Sequence, residues 1–242
     1  MGCGALAAAQ QHTSRRRYDP SMAISDPESV ELREATADDI EFLAWVMLAA
    51  SRSHLDRGIW EYLYDLDEAG ALELLGRLAT TGTVHLFHHS LFVIAQVDGQ
   101  PAAAMCGYDP QSQGFPTFNS VVPQVAAEVG IRLDDPELAR RLTVLLAGFP
   151  ESPVERPWTI ENVATLPQFR RQGLVDGLLA EVLGRGRARG FDAAQIGVFI
   201  GNEPARRAYL KAGFRLAAEK RDDGWEAEIG CPGTEQLLLP LG

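Results

Sequence analysis

One stretch, Trp158 to Gly190, limits what this chain can fold into more than any other. Trp158 to Thr165 reads as an apolar strand and Leu166-Pro167 as a turn. Arg170-Arg171-Gln172-Gly173-Leu174-Val175 is then a basic, glycine-bearing lead into a helix. Leu174, Val175, Leu178, Leu179, Val182 and Leu183 recur at helical spacing and give that helix one apolar face. A strand that passes through such a turn into a helix presents backbone N–H groups to an anion, at the positive end of the helix dipole. Gly173 has no Cβ to hold a phosphate away from the main chain. The structural alternative is that the arginines solvate a helix start and the glycine eases packing.

With 242 residues and 46% hydrophobic content, the chain has enough apolar material for one large or two small cores. Its formal net charge of −11 argues against non-specific nucleic-acid binding and against anionic membrane surfaces, and is compatible with cationic substrates. The longest apolar runs fall far short of a bilayer span. Cys3, Cys106 and Cys231 are too widely spaced for a disulfide framework or a metal motif, so a reducing, cytoplasmic setting is expected. Residues 1–29 begin small and apolar and turn basic at Arg15-Arg16-Arg17, the reverse of a secretory signal. They are expected to be a disordered tail, or an over-extended gene start with Met22 as initiator. A transit peptide is the alternative, since no acidic residue precedes Asp19.

Val30 to Arg33 alternates as a first strand. Thr36, three residues before Asp39, reads as a helix cap, and Ile40, Leu43, Ala44, Met47 and Leu48 form the helix face that follows. A second helical region covers Ile59 to Leu78. Leu91–Val97 and Ala102–Tyr108 form a hairpin about Asp98-Gly99. Residues 109–157 interrupt this pattern. They open turn-rich at Pro110, Gly114 and Pro116, then start a helix at Asp135-Pro136 whose apolar face is Leu138, Leu142, Leu145 and Leu146. This helical insertion is read as a lid or as a packing elaboration. Beyond the opening stretch come a strand (Ala194–Ile200), a turn (Gly201–Pro204) and a short helix (Pro204–Ala212) closed by Gly213. A further strand starts at Phe214, and Leu237-Leu238-Leu239 lies in a last, edge strand.

Two motifs in this frame resemble those of the GNAT superfamily of acyl-CoA-dependent N-acyltransferases. The first is the strand–turn–helix ending in (Gln/Arg)-x-x-Gly-x-(Gly/Ala), present as Val163 through Val175, with Val175 where the family has Gly or Ala. The second is Asn-x-x-Ala-x-x-x-Tyr-x-x-x-Gly-Phe, present as Asn202, Ala205, Tyr209, Gly213 and Phe214. The resemblance spans about residues 30–239, less the insertion. It implies an α/β (α+β) GNAT fold over residues 30–242: a mixed, strongly twisted sheet with helices on both faces and the 109–157 insertion between strands 3 and 4.

The resemblance further implies acetyl-CoA as acyl donor, no metal, and transfer to a primary amine by direct attack. The pyrophosphate would sit on the N–H groups of Arg171, Gln172, Gly173, Leu174 and Val175, with Arg170 and Arg171 supplying positive charge. The pantetheine arm would lie along Val163, Ala164 and Thr165, paired through the backbones of Val163 and Thr165. Tyr209 is assigned the acid that protonates the departing sulfur. Asn202 would hold the arm or a water, and also suits a helix cap. Glu161 is the candidate base. Strand alternation places it on the face of Val163 and Thr165, and Gly197 stands where some relatives carry a glutamate. His85, His88 and His89 lack metal spacing and are read as a wet loop. His54 and Asp56 are expected in a surface loop near the acceptor. Trp60, Tyr62 and Tyr64 are pocket walls or, more simply, helix packing. The acceptor is expected to be a small molecule. A protein N-terminus or lysine and a non-catalytic acyl-CoA sensor are the rivals, and a homodimer is left open.

Overall fold

The computed structural model describes residues 29–242; the expectations for the head of the chain lie outside the described residues. Strand β1 (Val30–Glu34) leads through a turn into helix α1 (Ile40–Arg52). Thr36 and Asp39 form the reciprocal cap their spacing predicts, and Asp39 also grips the Arg33 guanidinium at 2.6 and 2.8 Å. The second helical region divides into α2 (Ile59–Tyr64) and α3 (Glu68–Ala79), with a left-handed Asp65 between them. Strands β2 (Phe92–Val97) and β3 (Gln100–Tyr108) form the expected hairpin, whose turn residues Asp98 and Gly99 both have positive φ.

The insertion holds more helix than its punctuation suggests. Besides α6 (Pro136–Ala147) it contains α4 (Pro110–Gln113) and α5 (Phe115–Glu128). Pro110 and Pro116 occupy first-turn positions, where a missing N–H costs nothing, and α5 carries Pro123 internally while burying Phe118, Val121 and Val125. The remaining elements are β4 (Trp158–Thr165), α7 (Leu174–Ala188), β5 (Ala193–Phe199), α8 (Glu203–Lys211), β6 (Arg215–Arg221), α9 (Asp223–Ile229) and β7 (Gly233–Pro240).

These strands make one seven-stranded mixed sheet in the order β1-β2-β3-β4-β5-β7-β6. Only β4 and β5 are parallel; every other neighbouring pair is antiparallel. The last strand is therefore not at the edge. β7 lies between β5 and β6, and β6, rich in charge and mostly exposed, is the edge. The Leu237–Leu239 run suits an interior strand, and the charged β6 suits a solvated edge.

Helices cover both faces. On one, α1 and α3 pack over Phe92, Ile94, Ala104, Cys106 and Tyr108. On the other, α7 packs over Val93, Met105, Trp158 and Ile160. Gly186 of α7 is required by Trp158, because a Cβ there would come within 2.7 Å of the indole. A third, small cluster joins the insertion to the far end of the sheet: Leu145 of α6 meets Tyr62 of α2, Trp225 and Ile229 of α9, and Cys231. Thr234 Oγ1 donates to the Gly148 carbonyl at 2.7 Å and ties the insertion to β7. On α6 itself only Leu145 is buried; Leu142 and Leu146 are exposed, so the predicted four-leucine face does not pack inward. The helix instead docks through Leu145 and through Arg140, which pairs with Glu228 of α9.

Candidate active site

Strand β4 changes character midway. Trp158, Thr159 and Ile160 pair with Ala194, Gln195 and Ile196 of β5. Beyond that, β5 continues against β7 as far as Phe199, while β4 from Glu161 to Thr165 pairs only with β3. The two parallel strands have separated, leaving one side of β4 unpaired. At the parting the register slips: Cys106 opposes Glu161 and Ala104 opposes Ala164, so two β4 residues face Met105. Asn162, at φ +54°, makes this bulge.

The bulge corrects the alternation argument for Glu161. Paired residues share a face, so Glu161 lies with Cys106 and Ala164 with Ala104, over the α1–α3 core, whereas Val163 packs into the α7 core. Glu161 and Val163 are thus on opposite faces. Desolvation pushes the Glu161 carboxyl up to about 7, with the nearby Tyr108 phenol pulling the other way. Tyr108 itself is buried and held well above its usual range, first by burial and then by the Glu161 charge.

After β4 a turn at Pro167–Phe169 leads to extended Arg170, left-handed Arg171 (φ +67°) and left-handed Gly173 (φ +79°). Among the described residues nothing accepts from the amides of Arg171, Gln172, Gly173, Leu174 or Val175. The first donor on α7 is Asp176, whose N–H reaches the Gly173 carbonyl at 3.0 Å. Arg170 and Arg171 are exposed; Arg170 Nε donates to the Thr165 carbonyl at 3.4 Å. Val175 packs against the α7 core, so its branched side chain is accommodated inward. Lys211, at the end of α8, neutralises Asp176 in this turn at 2.6 Å.

Tyr209 on α8 is 6% exposed and lies in the same core that receives Val163. Burial raises its pKa, so it remains a phenol and a proton donor across the physiological range. Asn202 caps α8 by accepting from the Ala205 N–H at 3.2 Å, and its Nδ2 donates to Ser53 Oγ at 2.7 Å. This last contact ties the α1–α2 loop to the β5–α8 turn. His54 lies beside it, its Nε2 at 2.8 Å from where a Cβ on Gly201 would stand. Asp56 is simply exposed.

Other expected candidates resolve as structure. Trp60 and Tyr62 are buried, Trp60 stacking with Tyr64 and meeting Phe87 edge-on, and Tyr62 donating to Glu228. The three histidines are not a wet loop. His85 is fully buried and His88 nearly so, and burial, followed by the His88 charge, lowers His85 to about 4. His85 meets Thr81 Oγ1 at 3.0 Å through Nε2 and accepts from the Phe87 N–H through Nδ1, as a neutral ring. Among the described residues no group of three or more His, Cys, Asp or Glu side chains converges to hold a metal. Sequence reasoning missed Tyr108, Asn162 and Ser53. Tyr108 was within reach, lying two residues from Cys106 on one strand face. Ser53 carries no local signal, because its partner is 149 residues away.

An unpaired strand edge running into a helix start with free amides, in a mixed sheet layered by helices, places the chain among the acyl-transferring enzymes. Its sequence matches the acetyltransferase (GNAT) family over residues 59–214, and the chain belongs to that family, whose members use acetyl-CoA. Solved acetyltransferases share the fold. One described only as an acetyltransferase is 17% identical with a TM-score of 0.63, covering 88% of this chain and 100% of its own. An N-acetyltransferase from Staphylococcus aureus Mu50 is 16% identical with a TM-score of 0.57, covering 86% and 100%. A polyamine N-acetyltransferase from Drosophila melanogaster is 14% identical with a TM-score of 0.51, covering 88% and 100%. None of the curated proteins matches the chain in sequence.

Proposed function

We propose that this enzyme moves an acetyl group from acetyl-CoA to the primary amine of a small molecule, and that Glu161 and Tyr209 handle the protons. The observation that carries this reading is the parting of β4 from β5 immediately beside Glu161. The residues present fit the donor. The free amides from Arg171 to Val175 suit a pyrophosphate, and the unpaired side of Val163, Ala164 and Thr165 suits a chain of amides. Acetyl-CoA supplies an activated acyl group on a thiol leaving group. Arg170 and Arg171 add charge at the phosphate end, and Asn202 steadies the opposite wall through its tie to Ser53.

The amine arrives as an ammonium and must lose a proton before its nitrogen can attack. Glu161, poised near neutrality, takes it directly or through water. Tyr209, held protonated on the other face, gives a proton to the sulfur as it leaves. A small acceptor is favoured because α6 docks on α2 and α9 through Leu145, Tyr62 and Trp225 and walls that end of the sheet. Buried, unpaired Cys106 and Cys231 accord with a reducing, cytoplasmic compartment. Thiol release from acetyl-CoA across polyamines, amino acids, aminoglycosides and lysine- or N-terminus-bearing peptides tests the reading. It predicts acceleration by a small amine and not by the peptides. Acetyl-CoA that binds without any amine accelerating thiol release contradicts it.

A further inference from the structure

Where β4 parts from β5, the first broken rung sets Glu161 opposite Gly197. The last paired rung is Ile160 with Ile196, and each strand then moves on by one residue. Residues on one rung share a face, so Gly197 lies on the Glu161 face of the sheet. The rung continues past the break through Gln236 of β7 to Ala218 of β6. This row is open: Gly197 is exposed, and a Cβ there would meet nothing within 4 Å. The opposite face of the same strands is packed, with Ile196, Val198 and Leu237 in the α7 core. Glu161 thus borders a floor without bulky side chains, made by Gly197, half-buried Gln236 and Ala218. Neighbouring strands lie about 4.8 Å apart, so the row spans about 14 Å from β4 to β6 before any widening at the break.

The far end of this floor is cationic. On β6, Arg215 pairs with Leu238 and Lys220 with Thr234, so both fall on the Gln236 face and flank Ala218. Both are exposed, and neither forms an ion pair among the described residues. The acidic residues of these two strands lie on the other face, Glu219 with Arg221 at 2.6 Å and Glu235 with Arg206 at 2.7 Å. On adjacent α9, Glu228 is held by Arg140, Asp222 accepts from the Trp225 N–H, and Asp223 and Glu226 are exposed. A solvated edge strand calls for charge, but not for one sign on one face. In a chain of net charge −11, two unpaired cations beside an open floor mark a place for an anion.

We propose that this floor is the acceptor subsite, and that the acceptor is an elongated amine with an anionic group at its far end. The inference rests on the reading proposed above, which puts the reacting amine at Glu161. The absent side chain at Gly197 lets the body of the acceptor cross β5 and β7. Arg215 and Lys220, on long flexible side chains, receive its anion. A polyamine, cationic at both ends, is disfavoured there.

Three amines of similar length that differ at the far end test it: ε-aminocaproate (carboxylate), hexylamine (methyl) and hexamethylenediamine (ammonium). Expected at low salt is a kcat/KM for ε-aminocaproate about five- to tenfold above that for hexylamine, with the diamine lowest and the gap narrowing as salt screens it. Aminohexyl phosphate in the same series shows which anion, phosphate or carboxylate, suits the two cations better. The double variant Arg215→Gln/Lys220→Gln should raise the KM for ε-aminocaproate to that for hexylamine. Gly197→Val, which fills the floor, should raise the KM for every amine in the series. A preference for ε-aminocaproate that is absent, or that survives the double variant, overturns the proposal. If no amine is turned over, the catalytic reading fails on its own, and calorimetric titration of ε-aminocaproate into CoA-saturated enzyme decides the subsite. Binding that the double variant loses upholds it; no binding, or binding that the double variant keeps, overturns it.

Discussion

The two halves of β4 are built to opposite specifications. From Trp158 to Ile160 the strand pairs with β5, Thr159 and Ile160 pair with β3 as well, and the side chains are fully or almost fully buried. From Glu161 to Thr165 it has a neighbour on one side, every residue is partly exposed, and one sits in a left-handed conformation. A carboxyl displaced toward neutrality falls in the second half, while a buried nitrogen without a hydrogen-bond partner occurs in each, at Trp158 Nε1 and at Asn162 Nδ2. A short parallel register thus does two jobs. It anchors β4 in the core, and by ending at Ile160 it leaves an edge for a ligand. The proposed chemistry falls where the ladder stops, and the stabilising packing where it runs.

Substitutions should separate the halves. The largest effect is expected at Trp158, which lies against Gly186 and Phe191 in the closed half. Trp158→Ala should cost about 3–5 kcal/mol of stability by denaturant unfolding, while any folded fraction keeps its kcat. Tyr209→Phe should do the reverse, lowering kcat by about 10²–10³-fold with little change in melting temperature. Glu161→Gln should lower kcat about 10²-fold and remove a pH limb. As the proposed base, Glu161 must be ionised to act, and with burial pushing its carboxyl up to about 7, wild-type kcat/KM should rise with pH through that value, while the buried Tyr209 phenol should impose no fall until well into alkali. Stability runs the other way. Between the ordinary value of 4.5 and about 7, the folded state binds more protons at Glu161 than the unfolded state does, so ionisation there weakens the fold as pH rises. The melting temperature of Glu161→Gln relative to wild type should therefore climb across that window. Smallest is Gly173→Ala, which forces a Cβ onto a residue at φ +79° with no protein atom nearer than 4.0 Å. The strain is about 1–2 kcal/mol, and acetyl-CoA affinity by calorimetry should weaken roughly tenfold.

The closed half and the helix start were legible in the sequence because their signals are local. An apolar run, a proline turn, Gly173 and a 3.6-residue period act within a few positions of one another. Thr36 with Asp39 and Asn202 with Ala205 are legible for the same reason. The open half was not. Alternation along β4 placed Glu161 beside Val163, and only the mismatch with β3 at Met105 shows that Asn162 shifts the phase. Prolines misled in α5, where Pro116 belongs to the first turn and tertiary burial of Phe118 and Val125 carries Pro123. The interior position of β7 depends on how β6 folds back, which the Leu237–Leu239 run hints at but cannot specify. His85 looked wet because nothing nearby in sequence announces Phe118, whose ring centroid lies 5.5 Å from its own.

The account rests on a ligand supplying the neighbour that β4 lacks beyond Ile160. Amide hydrogen exchange, followed by mass spectrometry with and without CoA, tests this directly. The account predicts new protection in peptides covering residues 161–165 and 171–175 and none in residues 158–160, which are already paired. Protection that appears elsewhere on the sheet, with residues 161–165 exchanging as fast as before, would contradict it.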